Sequence, residues 1–284
     1  MTEPTSRYVE ANGATFHLLD WGGDAQPCLM VHGTGLCAGV WTPIAEALSS
    51  TYHVMALDQR GHGRSGGEDA DISWEMVGKD IAGVAEALDL QNALVIGHSR
   101  GASAVIASAL TAGARYAAGV FVEPTILMRF GDENDKPFSN QRLVDATLRK
   151  KSVFDSREQF RSETLARRSF AAWDPAVFEG YAQHGAEDLP DGRVRLLCAP
   201  ETEVKFYQAP VNVPIWDCVE QLRGPVLLLV SEQQEMFQAD AAGARRFVEK
   251  IGAQVQTLPG DHFTALQHPR ELTEAILGFT RSLD

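Results

Sequence analysis

Six short apolar runs recur along the chain, Cys28–Val31, His53–Leu57, Ala93–Ile96, Ala118–Val122, Val226–Val230 and Val255–Leu258, each bounded by turn residues. They are rich in Val, Leu and Ile and do not alternate with polar residues, which is the pattern of strands buried on both faces of a parallel sheet. Parallel neighbours need a crossover about the length of a helix, and helical patterns stand between the runs. Val77, Ile81, Val84 and Leu88 fall on one helical face, with Asp71 and Ser73 as N-cap candidates before them. Ala102–Ala112, Asp240–Ile251 and Pro269–Leu283 supply further helices. The alternation predicts an open, mostly parallel α/β sheet with helices on both faces and right-handed crossovers. Arg7–Asn12 and Thr15–Trp21, joined through Asn12-Gly13, form an expected antiparallel hairpin at one edge.

The alternation stops between Glu123 and Val226. Helical stretches at Ser139–Lys150, Ser156–Ala171 and Pro175–His184 give way to a polar passage through Pro200, Pro210 and Pro214. This is too long for a loop inside a compact domain and reads as an inserted, mainly helical cap. The expected division is a core of residues 1–124 and 223–284 with a cap of residues 125–222. Of the cap aromatics, among them Phe160, Trp173, Tyr181 and Trp216, a few would line an apolar pocket and the rest would pack. Arg149-Lys150-Lys151 reads as a solvated face, and Glu203 as either a pocket or a surface residue.

A formal net charge of −13 argues against nucleic acid or an anionic membrane surface as partner and favours a small-molecule substrate. The opening MTEPTSRYVEANG lacks the basic and apolar regions of a signal peptide, so a cytoplasmic location is expected. Cys28, Cys37, Cys198 and Cys218 show no CxxC spacing, and neither a metal site nor a disulfide framework is indicated. Oligomeric state is left open by the residues.

Open α/β sheets bind ligands at the carboxyl ends of their strands, and chemistry-bearing residues collect there. Gly97-His98-Ser99-Arg100-Gly101 follows an apolar run and passes at once into an Ala-rich helix. It is either a nucleophile elbow that lifts the Ser99 hydroxyl above the sheet or a helix N-cap between turn glycines. As a nucleophile Ser99 needs a base to take its proton. His262, in LPGDHF, lies just past the last strand at the same edge; His98 points away from the hydroxyl and His268 starts the final helix. The loop His32-Gly33-Thr34-Gly35 offers backbone N–H groups for an oxyanion hole, with Thr34 or Gly33 as one donor and Arg100 as the other.

With HGTG after the third strand, DQRGHGRS after the fourth, GHSRG at the elbow and LPGDHF around the histidine, the chain resembles the α/β-hydrolase fold superfamily over nearly its whole length. The resemblance implies a cap between the sixth and seventh strands, a structural role for the loop holding Asp58 and Arg60, and no cofactor. It also implies an acid past the seventh strand, where Ser231 replaces the expected Gly and Gln234 the expected Asp. Glu123, ending the sixth strand, points toward the same edge, and acids at that place occur in zearalenone-lactonase-like enzymes. On that resemblance Ser99, His262 and Glu123 are the expected triad, with Glu232 or Glu235 as alternative acids; Asp261 is too close along the chain to orient His262. The implied activity is serine hydrolysis of a small apolar ester or lactone through an acyl-enzyme. The alternatives are hydrolysis of a C–C bond in a diketone and a ligand-binding protein without catalysis.

Overall fold

The computed structural model describes residues 3–70, 72–125, 141–233 and 241–283. The chain opens with β1 (Thr5–Ala11) and β2 (Ala14–Asp20), paired antiparallel across Asn12 and Gly13. There follow β3 (Pro27–Val31), a 3-10 turn at Ala38–Trp41, α1 (Thr42–Leu48), β4 (His53–Leu57), α2 (Trp74–Ala87), β5 (Ala93–His98), α3 (Arg100–Ala112) and β6 (Tyr116–Val122). Next come α4 (Gln141–Leu148), β7 (Val153–Phe154), α5 (Arg157–Leu165), α6 (Pro175–His184), β8 (Ala186–Asp188), β9 (Val194–Leu196), α7 (Pro200–Gln208) and α8 (Ile215–Glu220). The chain closes with β10 (Val226–Ser231), α9 (Ala241–Ile251), β11 (Gln254–Leu258), α10 (Thr264–Gln267) and α11 (Pro269–Arg281).

Among the described residues the main sheet has eight strands in the order β1-β2-β4-β3-β5-β6-β10-β11, and every pair from β4 onward is parallel. The fold is thus the mostly parallel α/β architecture expected from the alternation. From β3 the chain moves to β4 on one side and then to β5 on the other. The carboxyl ends of β3 and β5, hydrogen-bonded neighbours with Val31 opposite Gly97, therefore form the switch point where such sheets open a crevice.

Two apolar layers hold the sheet. Val77, Ile81 and Val84 of α2, Val105 of α3 and Phe247 of α9 bury against Leu29, Val95 and Phe121. On the other face Trp41, Ile44, Ile276 and Phe279 bury against Met30, Ile96 and Val120. Each large side chain so buried is worth about 1.5–3 kcal/mol over its exposed state, which fixes the strand ends relative to one another. All four cysteines are buried and free. Among the described residues no helix is long and apolar enough to cross a membrane.

Between β6 and β10 the chain forms α4 to α7 and a small antiparallel sheet in the order β7-β9-β8. The Pro-rich passage holds more regular structure than its composition suggests. Pro200 opens α7 at its first turn, where the missing N–H costs nothing, instead of breaking a helix. α8, within the expected cap of residues 125–222, packs on α3 and buries Ile215, Cys218 and Val219 in the same cluster. The rest of the insertion is pinned to the core where the 3-10 turn meets α6. A Cβ on Gly39 would lie 2.3 Å from the carbonyl oxygen of Gly180, and one on Gly180 would lie 2.0 Å from that of Gly39.

Candidate active site

Ser99 leaves β5 at φ 55°, ψ −121° and enters α3 at the next residue. A non-glycine residue at this φ is strained, by on the order of 1–3 kcal/mol, and is held only where its surroundings over-determine it. Here the Ser99 N–H donates to the Val122 carbonyl at 2.8 Å, and the flanking glycines admit the tight turn. A Cβ on Gly97 would sit 2.4 Å from the Ala102 Cα, and one on Gly101 would sit 2.3 Å from the carbonyl oxygens of Val31 and His32. Ser99 makes no side-chain cap bond to the helix it precedes, which removes the N-cap reading of the motif.

The Ser99 hydroxyl instead donates to His262 Nε2 at 2.9 Å. On the far side of the ring, His262 Nδ1 donates to Glu123 Oε2 at 3.4 Å, and the other carboxylate oxygen, Oε1, accepts the Ser231 N–H at 2.5 Å. Glu123 is 1% exposed. It lies one residue past β6, also at positive φ, 50°, and donates its own N–H to Leu229 at 3.0 Å. The structure thus brings together Ser99, His262 and Glu123 from three widely separated stretches. Of the alternative acids, Glu232 is exposed, with its backbone tied to Leu258, and Glu235 lies outside the described residues, as does Gln234. Asp261 accepts from the Phe263 N–H and from Gln267 Nε2, so it shapes the loop that carries His262.

Gly33 passes close to Ser99, since a Cβ there would be 3.3 Å from the Ser99 Cβ. The next N–H along this loop is that of Thr34, half-buried, and the Arg100 N–H stands at the head of α3. The Arg100 side chain turns away from the hydroxyl. Its guanidinium stacks between the Trp74 and Phe206 rings and donates to the Phe206 carbonyl at 2.8 Å.

Three buried histidines brace these loops. His32 Nδ1 meets the Gly33 carbonyl at 2.7 Å, and His62 Nε2 accepts the Gly35 N–H at 2.9 Å. His98 Nε2 donates to the His262 carbonyl at 2.8 Å. Burial pushes His62 and His98 down to about 3, so both stay neutral in the folded chain. The unfolded chain protonates them near pH 6.5, and between these values it binds protons that the folded chain does not. Stability contributed by these residues is therefore complete above about pH 6.5 and is lost as pH falls toward about 3. Urea midpoints measured from pH 7 to 4 should decline steadily, and a flat profile would contradict the neutral assignment. Asp58 and Arg60, for which the resemblance implied a structural part, are both engaged within the fold: Asp58 accepts from His17 and from the Ala38 and Arg64 N–H groups, while Arg60 forms a two-pronged pair with buried Asp80.

In the insertion the aromatic packing matches the expectation that most cap rings pack, whereas Lys150 departs from its own. Phe160, Phe170, Trp173 and Tyr181 pack ring to ring, and Trp173 reaches Phe263 beside His262. Glu203, with an open surface alternative, is 6% exposed and lies against Gly35, while Lys150, expected on a solvated face, is paired with it at 2.8 Å. The available signal was the i, i+3, i+4 spacing of Glu203, Phe206 and Tyr207 after a helix-opening proline.

The chain matches the alpha/beta hydrolase family over residues 28–275. It is 37% identical to a non-heme chloroperoxidase of Streptomyces lividans over 96% of its own length and 98% of that protein. Among solved structures it superposes on an E-2-(acetamidomethylene)succinate hydrolase with TM-score 0.79 at 21% identity, covering 98% of this chain and 99% of that one. It superposes on a thioesterase domain from the curacin biosynthetic pathway with TM-score 0.76 at 19% identity, covering 96% and 99%. At such identities the structural likeness speaks for the fold alone.

Proposed function

We propose that the chain, which belongs to the alpha/beta hydrolase family, is a serine hydrolase that cleaves a carboxylic ester or lactone through an acyl-enzyme. The reading is carried by the 2.9 Å hydrogen bond from the Ser99 hydroxyl to His262 Nε2, with a buried carboxylate behind the ring. Ser99 Oγ attacks the carbonyl carbon as His262 takes its proton, and Glu123 stabilises the imidazolium that forms. The charge developing on the carbonyl oxygen falls to the backbone N–H groups of Arg100 and of Thr34 or Gly33. His262 then returns the proton to the leaving alcohol, which departs or, in a lactone, stays tethered. Water, activated by the same histidine, releases the acid and restores Ser99. In this reading the insertion over the strand ends acts as a cap that selects the substrate.

The test is intact mass after treatment with a fluorophosphonate probe. The wild type should gain one adduct and Ser99→Ala none. A folded wild type that gains no adduct would overturn the proposal.

The full-length likeness to a chloroperoxidase favours one second reading on the same residues. Hydrogen peroxide in place of water would attack the acyl-enzyme to give a peracid and free Ser99, and the peracid would oxidise halide in solution. Peroxide- and carboxylate-dependent halogenation of a diketone indicator, absent in Ser99→Ala, would support it.

A further inference from the structure

Lys150, Glu203 and Tyr207 form a polar cluster inside the insertion that the hydrolytic steps do not use. Lys150 stands just past α4, and Glu203 and Tyr207 lie one turn apart on α7, a helix that packs on α4. One Glu203 oxygen accepts from Lys150 Nζ at 2.8 Å and the other from the Tyr207 hydroxyl at 3.0 Å. The Lys150 and Glu203 side chains are only 13% and 8% exposed. Taking both charges out of water is costly, and well-packed apolar residues often stabilise a fold at least as well. A buried pair of this kind beside a candidate active site calls for a role beyond stability.

The cluster stands over the loop that carries the proposed oxyanion donors. The Glu203 carboxylate lies 2.7 Å from where a Cβ on Gly35 would be. Gly35 is the residue after Thr34, and a Cβ on Gly33 would lie 3.3 Å from the Ser99 Cβ. Three residues later on the same helix, the Phe206 ring seats edge-on against His62, 4.7 Å between centroids, and beneath Arg100. α7 therefore lies across the ends of the central strands, and the pair it buries is turned toward the reacting end of the sheet.

Both Glu203 oxygens are engaged, whereas the Lys150 ammonium has three donors. One goes to Glu203, and among the described residues the other two have no side-chain or backbone acceptor. We propose that Lys150 is a specificity-determining group of this site, donating to a neutral oxygen acceptor, a ketone or hydroxyl oxygen, that the substrate carries away from its scissile bond. The acceptor is neutral because Lys150 and Glu203 already cancel: an anion drawn to the ammonium would meet the Glu203 carboxylate beside it. Tyr181 lies beside Lys150, and its ring packs against Phe160 and Phe170, so one oxygen on an otherwise apolar body is the chemistry that fits. This inference rests on the serine-hydrolase reading above.

Matched fluorophosphonates test it without requiring turnover. The set is a plain hexyl tail, hexyl tails with a keto oxygen at successive positions, and a tail ending in a carboxylate; the second-order labelling rate of Ser99 is read by intact mass. At least one keto tail should label the wild type about tenfold faster than the plain tail, the yield expected of one hydrogen bond from a charged donor. That ratio should fall to about one in Lys150→Met. Since this variant leaves Glu203 buried and unpaired, the doubly neutral K150M/E203Q is measured beside it and should lose the ratio equally. A wild type labelled at equal rates by plain and keto tails, a ratio that survives in K150M/E203Q, or fastest labelling by the carboxylate tail would each overturn the inference and leave the hydrolase reading intact. Failure of every probe to label a folded wild type would instead overturn the hydrolase reading and, with it, this one.

Discussion

Glu123→Gln is expected to lower ester turnover by about 10⁴-fold, the scale of losing the correct histidine tautomer. The reason lies in the second partner of the carboxylate. The Ser231 N–H donates to Oε1 at 2.5 Å, and an amide placed there must present its oxygen to that donor. Its NH₂ group then faces His262 Nδ1, forcing the ring to accept at Nδ1 and carry its proton on Nε2. A ring in that state cannot take the Ser99 proton. Glu123→Asp keeps the charge but withdraws it by one methylene, about 1.5 Å, from a contact already at 3.4 Å, so its loss should be smaller. Steady-state rates, with circular dichroism to confirm the fold, decide the matter. Near-normal turnover by Glu123→Gln would return the acid to Glu232 or Glu235.

Gly180→Ala is expected to cost about 3 kcal/mol or more, at the upper end for inserting a methyl group into a packed site. The new methyl would start 2.0 Å from a backbone oxygen of the 3-10 turn, and backbone has no rotamer by which to yield. In a protein of this size the thermal midpoint should fall by roughly 5 °C or more. Gly278→Ala in α11 is the control, since a Cβ there meets nothing within 4 Å. That change should leave the midpoint level or raise it by lowering the freedom of the unfolded chain. Equal midpoints for both variants would mean that α6 and the turn separate at little cost.

Much of this architecture is legible in the residues because parallel strands announce themselves. Runs such as Leu94–Ile96 and Leu227–Val230 have no polar face to hide, and the helices between them carry a plain 3.6-residue stripe. The elbow is legible for a similar reason: only small neighbours permit its turn, so Gly97 and Gly101 mark it. Glu123 is harder to read, because its part depends on meeting a histidine far along the chain and on a backbone N–H that no side-chain pattern encodes. Lys150 and Glu203 are least legible. Charged residues are ordinarily solvated, and only the packing of α7 on the core reveals that these are buried. The Pro-rich passage misleads in the opposite direction, since the same residue that breaks a helix interior also begins a helix well.

Ser99 and Glu123 stand at the ends of adjoining strands of one sheet, and what the end of β10 gives Glu123 is the Ser231 N–H, a group that every amino acid except proline provides. That bond leaves the side chain at position 231 open to exchange. In an engineered version of this protein, another small residue such as alanine placed there would keep the N–H and remove a buried hydroxyl, while Ser99 and Glu123 stay on the rigid frame of β5 and β6.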